Sequence, residues 1–504
     1  MERSSNAISR RPMPGLCRHS CYLGLLIFLA GIVPLWGWCS REDSTAALSA
    51  LRARVQALVE QLQQRARVGV LVSDVAGRRY FEHGAEQLLV PASVTKLFWS
   101  VAALAVLGDS AVIRTALYAD ALPRADGTLS GNLYLVGGGD ALLTVQELEE
   151  LAAQLVRRGV RRITGAVLGD GTLFDGQRTR LQYSGDSDPV EPLPPITALG
   201  FNRNEVRVLV SATGRRVTAQ TIPVSPGFVV DVSGVRIRKG ARRGRQRVVL
   251  SARSVMRRGV QYIVVSGWIA ARGTWSLGVP MEKPEVAAAA TLVQRLRAAG
   301  IRVEGGFGEG KCPPGATLLG LWERPLAELL AAVNKESDNF VAEHLFKLLG
   351  ARAAGSGTHA ERARRLLQAL LSRWGIPCQG CALWDGSGLS RRNRVSAADV
   401  VGMLRAVFQL PIADALCRSL SIAGVDGTLK QRLQQTQAQA RVWAKTGTLR
   451  NASALAGYVL TADGDPLVFA ILSFGVVSRA KALEDSLVAT LARFSFCGAG
   501  TQSR

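Results

Sequence analysis

Three short groups of residues, far apart in the chain, have the types and spacing of one acyl-transfer site: Ser93 with Lys96, Ser337 with Asn339, and Lys445-Thr446-Gly447. Positions i and i+3 share a helix face, so the amine of Lys96 reaches the hydroxyl of Ser93. A serine is a weak nucleophile until a neighbour takes its proton. A lysine can do that only when neutral, which requires desolvation or a nearby positive charge. Lys445 is the candidate source of that charge. Ser337 would relay protons between Lys96 and a leaving amine. Asn339 would orient Lys96 and hold a substrate peptide. Lys445 and Thr446 offer a cation and a hydroxyl to an anionic substrate group. Gly447 removes a side chain so that a substrate can lie along a strand edge. The amides of Ser93 and Thr448 would form an oxyanion hole. Taken singly, each group has a plainer meaning: a serine N-cap, a helix cap, an edge strand with a solvated lysine. Their joint occurrence in this order favours the chemical reading.

The elements around them fit those duties. Residues 45–65 read as an amphipathic helix, 67–73 as a strand, and 78–82 as its hairpin partner. A helical pattern starts at Ser93 and stops at Gly108. The middle, 109–283, is rich in glycine and β-branched residues, with strands at 206–210, 228–232, 248–250 and 261–265 and a helix at 145–157. A helix at 285–299 and a strand at 301–304 follow. Helices at 325–333 and 340–349 flank Ser337-Asp338-Asn339. Strands at 441–445, 455–460 and 467–474 precede a closing helix at 479–494. The expected organisation is a leader at 1–40, a discontinuous catalytic domain from 41–108 and 284–504, and an insertion at 109–283. Such an insertion is tolerated because loop-closure entropy grows slowly with length.

The formal net charge is +23, mostly from arginine. Anionic partners and arginine-rich codon usage both account for it. The densest basic run, 236–258 with Arg242, Arg243, Arg245 and Arg247, has no interleaved aromatics. That argues against nucleic acid and suits a solvated face, a wall polymer or a lipid surface. Arg3, Arg10, Arg11 and Arg18 precede an apolar run at 22–38, the pattern of an export signal or membrane anchor. No small-residue cleavage site follows closely, so a cleaved signal and an uncleaved anchor both stay open. Among the 8 cysteines, Cys378 and Cys381 form a C-x-x-C expected to be structural. The 4 histidines lack metal-ligand spacing, so no metal and no cofactor is expected. Gly386-Ser387-Gly388 is not a full nucleophile elbow.

S-x-x-K, S-x-N and K-T-G, in this order, make up the motif set of penicillin-binding proteins and serine β-lactamases. The chain resembles the D-alanyl-D-alanine carboxypeptidase/endopeptidase family of low-molecular-mass class C penicillin-binding proteins, the penicillin-binding protein 4 or DacB type. Residues 131–140 (GNLYLVGGGD), 385–391 (DGSGLSR), 424–429 (GVDGTL) and 445–449 (KTGTL) are similar to family segments. The likeness runs from about 68 to 474. It includes the insertion, and β-lactamases lack so long an insertion between the first two motifs. The resemblance implies an α+β fold: a β-lactamase/transpeptidase-like domain, its five-stranded antiparallel sheet flanked by helices, with a long β-rich insertion forming domains II and III. It implies a D-alanyl-D-alanine carboxypeptidase that hydrolyses peptidoglycan stem peptides through a serine acyl-enzyme, with DD-endopeptidase activity left open. Ser93, Lys96, Ser337, Asn339 and Lys445 would be catalytic, and Thr446, Gly447 and Thr448 would bind substrate. β-Lactam antibiotics would be covalent inhibitors. Association with a membrane surface and a place in the periplasm or cell envelope would follow. Residues 177–195 match the family poorly in a neighbourhood that approaches the cleft. Asp186, Asp188 or Glu191 would there face the amino end of a diamino-acid side chain. A serine β-lactamase and a non-catalytic wall-binding protein are the alternatives.

Overall fold

The computed structural model describes residues 41–64, 66–186, 191–238, 248–376 and 378–496. The expected leader at 1–40, Cys497, Asp188 and the arginines at 242, 243, 245 and 247 lie outside the described residues. No helix among the described residues is long and apolar enough to cross a membrane.

The lobe that carries the motifs is built from α1 (Arg41–Gln63), β1 (Arg67–Asp74), β2 (Arg79–His83) and α2 (Thr95–Leu107). After the middle region come α3 (Leu326–Asn334), α4 (Asn339–Arg352), α5 (His359–Arg373) and α6 (Ala397–Phe408). The lobe ends with β3 (Ser421–Ile422), β4 (Val442–Leu449), β5 (Ala452–Leu460), β6 (Pro466–Phe474) and α7 (Val477–Arg493). Its sheet is six-stranded, in the order β3-β4-β5-β6-β1-β2, and every pair is antiparallel. The sixth strand, β3, is only 2 residues long.

β6 reads PLVFAILSF because both of its faces are covered. Val468, Ala470 and Leu472 point into a core shared with α2, α4 and α6. Leu467, Phe469 and Ile471 join a second core with α1 and α7. A period of two on a sheet wrapped from both sides reads as a continuous apolar run. β3 pairs only with Trp443 and Ala444 of β4. From Lys445 onward, the outer edge of β4 therefore has no neighbouring strand and is open to an added extended peptide.

The middle region has its own core. A five-stranded sheet runs in the order Phe307–Glu309, Val167–Asp170, Leu133–Gly137, Val112–Ala119, Thr317–Pro325. Three three-stranded sheets accompany it. The boundary expected at 283/284 is not where the apolar core divides. The helix Pro284–Ala298 buries Ala288, Ala289, Leu292 and Val293 in the middle core, together with Ile301, Val303 and Leu319. Its alanine run lets it lie close to the sheet: a Cβ on Gly169 would come within 2.2 Å of the Glu285 carbonyl oxygen. Cys378 and Cys381 are joined by a disulfide.

Candidate active site

Ser93 lies in a 3₁₀ turn, Ala92–Val94, that runs directly into α2. Ala92 is held at φ +47°. A non-glycine residue in the left-handed region is strained and is found where surrounding packing imposes it. Two backbones impose it here. A Cβ on Gly388 would come within 2.0 Å of the Ala92 carbonyl oxygen, and one on Gly447 within 2.7 Å of the Pro91 carbonyl oxygen. The serine turn is thus wedged between the 385–390 loop and β4. Gly447 accordingly serves first to let β4 press against this turn. The same Gly447 Cβ position lies 3.1 Å from the Ser93 nitrogen, so the strand passes beside that amide.

Lys96 is fully buried in the first turn of α2. Its ammonium nitrogen is 2.7 Å from Ser93 Oγ, 2.7 Å from Asn339 Oδ1 and 2.8 Å from the Ser387 carbonyl oxygen. Burial pulls its pKa down to about 8, against the opposing pull of Asp385, Glu343, Asp338 and Glu191. Desolvation, not the charge of Lys445, is the leading cause, because the charged form loses its hydration. Lys445 is also buried, and its pKa falls well below the usual lysine value, first through burial and then through the charge of Lys96. Its Nζ donates to Ser337 Oγ at 2.8 Å and to the Thr446 carbonyl at 2.9 Å. The two lysines thus bind the two ends of the Ser337-Asp338-Asn339 turn, one contact each.

That turn is held by its own local chemistry. Ser337 is at φ +58°, and Asp338 caps α4 by accepting the Val341 amide at 3.0 Å. Thr446 Oγ1 donates to Thr428 Oγ1 at 2.8 Å, which adds the 424–429 loop to the site. The Thr428 amide donates to the Lys335 carbonyl at 3.0 Å, just ahead of the turn.

All five residues expected to be catalytic therefore meet around Lys96 and Lys445, with Thr446 and Gly447 on the adjoining strand. Thr448 is exposed on β4, opposite Ser453. Of the three acids in the poorly matching stretch, Glu191 is exposed and accepts from Asn339 Nδ2. Asp186 instead accepts the Arg391 amide at 3.0 Å.

Sequence reasoning missed several supporting residues. Ser387 has no full nucleophile elbow around it, yet its carbonyl is a partner of Lys96. Glu343 and Asp385, both fully buried, hold the loop that carries it. An acid inside the apolar helix NFVAEHLFKL was the available signal, since buried carboxylates occur where they are hydrogen-bonded.

The model of the D-Ala-D-Ala carboxypeptidase 3 (S13) family matches residues 51–494. A D-alanyl-D-alanine carboxypeptidase of Actinomadura sp. (strain R39) is 33% identical over 474 residues, which span 90% of this chain and 86% of that protein. The D-alanyl-D-alanine carboxypeptidase DacB of Haemophilus influenzae is 26% identical, over 82% of this chain and 87% of that protein. The crystal structure of penicillin-binding protein 4 (dacB) from Haemophilus influenzae superposes with a TM-score of 0.70 at 25% identity. It covers 87% of this chain and 99% of its own. A second structure of that protein, complexed with a β-lactam, gives a TM-score of 0.68.

Proposed function

The chain belongs to the D-Ala-D-Ala carboxypeptidase 3 (S13) family, and we propose how its residues carry out that family's reaction. It is a serine-type D-alanyl-D-alanine carboxypeptidase. In our reading Ser93 Oγ attacks the carbonyl of the penultimate D-alanine of a peptidoglycan stem peptide. Lys96, in the neutral form that burial favours, takes the hydroxyl proton. Ser337, hydrogen-bonded to Lys445, gives its hydroxyl proton to the nitrogen of the departing D-alanine as the C–N bond breaks, and is reprotonated by the proton held on Lys96. The amides of Ser93 and Thr448 hold the oxyanion, and Lys445 with Thr446 binds the terminal carboxylate. Water then hydrolyses the acyl-enzyme and releases the shortened peptide. DD-endopeptidase action on cross-linked peptides follows the same steps with a larger leaving amine.

The observation that carries this reading is the 2.7 Å contact between Lys96 Nζ and Ser93 Oγ, inside a site where burial lowers the lysine pKa to about 8. A β-lactam would acylate Ser93 in the same way. Substrates of this kind exist outside the cytoplasmic membrane, so the apolar run at 22–38 would export the body to the periplasm or cell envelope. The basic charge would hold it near anionic lipid or wall polymer.

A labelled penicillin should acylate the wild-type protein and spare Ser93→Ala. Mass spectrometry of muropeptides should show loss of one D-alanine, with cross-linked dimers opened if endopeptidase action accompanies it. Equal labelling of both proteins would overturn the assignment.

A further inference from the structure

We propose that Glu343 is a positioning residue for acyl transfer: from inside α4 it fixes the Gly386–Ser387 backbone so that the Ser387 carbonyl holds Lys96 against Ser93. The proposal rests on Lys96 acting as the proton acceptor, as read above.

Asn339 and Glu343 are four residues apart on α4 and so share a helix face. Asn339 meets Lys96 directly, through Oδ1 at 2.7 Å. Glu343 meets it at one remove. Its Oε1 accepts the Ser387 amide at 3.0 Å and its Oε2 the Gly386 amide at 2.9 Å. The carbonyl of that same Ser387 is 2.8 Å from Lys96 Nζ. One helix therefore supplies one of the three contacts that aim the lysine and braces a second. The third is Ser93 Oγ itself.

The loop is seated directly on the helix. A Cβ on Gly386 would come within 2.4 Å of the Ala342 carbonyl oxygen, so the peptide has no room to settle elsewhere. Glu343 also accepts from Tyr183 Oη at 3.1 Å. No cation lies within ion-pair distance of Glu343 among the described residues. Three neutral donors hold a fully buried carboxylate. Asp385 organises the other half of the loop, accepting the Gly388 amide at 3.0 Å, the Ser390 amide at 2.7 Å and Asn393 Nδ2 at 2.8 Å. Arg180 Nε reaches Asp385 at 3.3 Å. An apolar residue at 343 would leave two backbone amides buried without acceptors, which is costly. A glutamine would satisfy one amide and set its own N–H₂ against the other.

A purely structural acid would change stability alone. Glu343 also acts on Lys96 electrically. The charged groups facing Lys96 are Asp385 and Glu343 from behind, Asp338 and Glu191 at the turn, and Lys445 across the cleft. Burial, with the charge of Asp385, raises the Glu343 pKa to about 7, so the carboxylate is charged where Lys96 titrates near 8. Removing that charge withdraws one of the pulls that keep Lys96 protonated, so the Lys96 pKa falls further.

The test is the rate of acylation by a labelled penicillin, measured against pH for wild type, Glu343→Gln and Tyr183→Phe. The expected result for Glu343→Gln is a plateau rate lower by about tenfold to a hundredfold, the scale set by misplacing a reacting group. Its acid limb should also move to lower pH. Tyr183→Phe removes one donor from Glu343 and leaves the loop contacts intact. It should give a smaller loss of rate, and if Glu343→Gln does not fold, Glu343→Asp, which keeps the charge but draws the carboxylate back from the two amides, should lower the plateau with little movement of the limb. An unchanged plateau and an unmoved limb in the folded variants would overturn the proposal. Wild-type labelling at Ser93 would meanwhile leave the assignment of the nucleophile intact.

Discussion

Arg203 closes a two-pronged ion pair on Asp338, the central residue of the turn that presents Ser337 and Asn339. The arginine comes from the middle region, from three successive residues, Asn202 to Asn204, at positive φ. Its guanidinium also lies over the Phe340 ring, 5.5 Å from the centroid. The middle region is therefore a strut on the catalytic turn. Arg203 is half-exposed, and exposed pairs contribute about 0.2–1 kcal/mol, so Arg203→Ala should lower stability by no more than about 1 kcal/mol. The acylation rate should fall several-fold, because Ser337 loses the brace beside its left-handed backbone. Thermal melts together with penicillin acylation kinetics check both. A lower melting temperature with unchanged acylation would make the contact merely structural.

Lys96 must be neutral to take a proton, and burial sets its pKa at about 8. Acylation should therefore accelerate as pH rises through about 8 and then level off. Lys96→Arg, which stays charged, should not acylate at any pH in the range. The linkage has a definite sign. The folded pKa is below the unfolded value of about 10.4, so between the two the unfolded chain binds more protons. Stability should therefore rise with pH across that window. Lys96→Met should flatten this slope. A wild-type acylation profile that is flat between pH 6 and 10 would refute the neutral-lysine mechanism.

Gly447 and Gly388 flank the serine turn on opposite sides, and a methyl group at either would meet backbone that cannot swing away. Gly447→Ala should cost about 1–3 kcal/mol, the usual range for overpacking. It should also reduce acylation more than its stability loss explains, since it displaces the Ser93 amide. Gly388→Ala adds strain at φ +84° and should be worse. Gly464→Ala, at φ +91° in an open turn with nothing within 4 Å, is the control for conformational strain alone. If all three lose the same stability and none loses rate, the wedge plays no part in catalysis.

The motifs were legible because the chemistry needs particular residue types at short, fixed spacings. Ser93 and Lys96 share a helix face, and Lys445 to Gly447 follow one strand. The sheet was legible where apolar runs were long, as in β5 and β6. The strands Val112–Ala119 and Thr317–Pro325 were not foreseen. They pair with each other across most of the middle region, and no local pattern announces such a partner. The boundary at 283/284 misled because a helix reads the same from sequence whichever core its apolar face joins. The role of Ser387 escaped notice because its contribution is a backbone carbonyl, which any residue type carries. Glu343 and Arg203 act through contacts 44 and 135 residues away along the chain, beyond the reach of local spacing.

Lys445 stands at the start of the open edge of β4, where an extended peptide ending in a carboxylate would lie. Its amine touches Ser337 Oγ and the Thr446 carbonyl, and burial holds its pKa well below the usual lysine value. A carboxylate arriving beside it favours the charged form. Binding of a carboxylate-bearing peptide should therefore take up a proton. Calorimetry in buffers of different ionisation enthalpy, on Ser93→Ala to prevent turnover, should detect this uptake. A charge-assisted hydrogen bond is worth about 1.5–3 kcal/mol. Lys445→Ala should then lower kcat/KM for a D-Ala-D-Ala peptide by about 10- to 150-fold. The same peptide with a C-terminal amide presents no anion, so its smaller kcat/KM should drop much less. An equal loss on both substrates would mean that Lys445 serves the Ser337 proton relay and not the carboxylate.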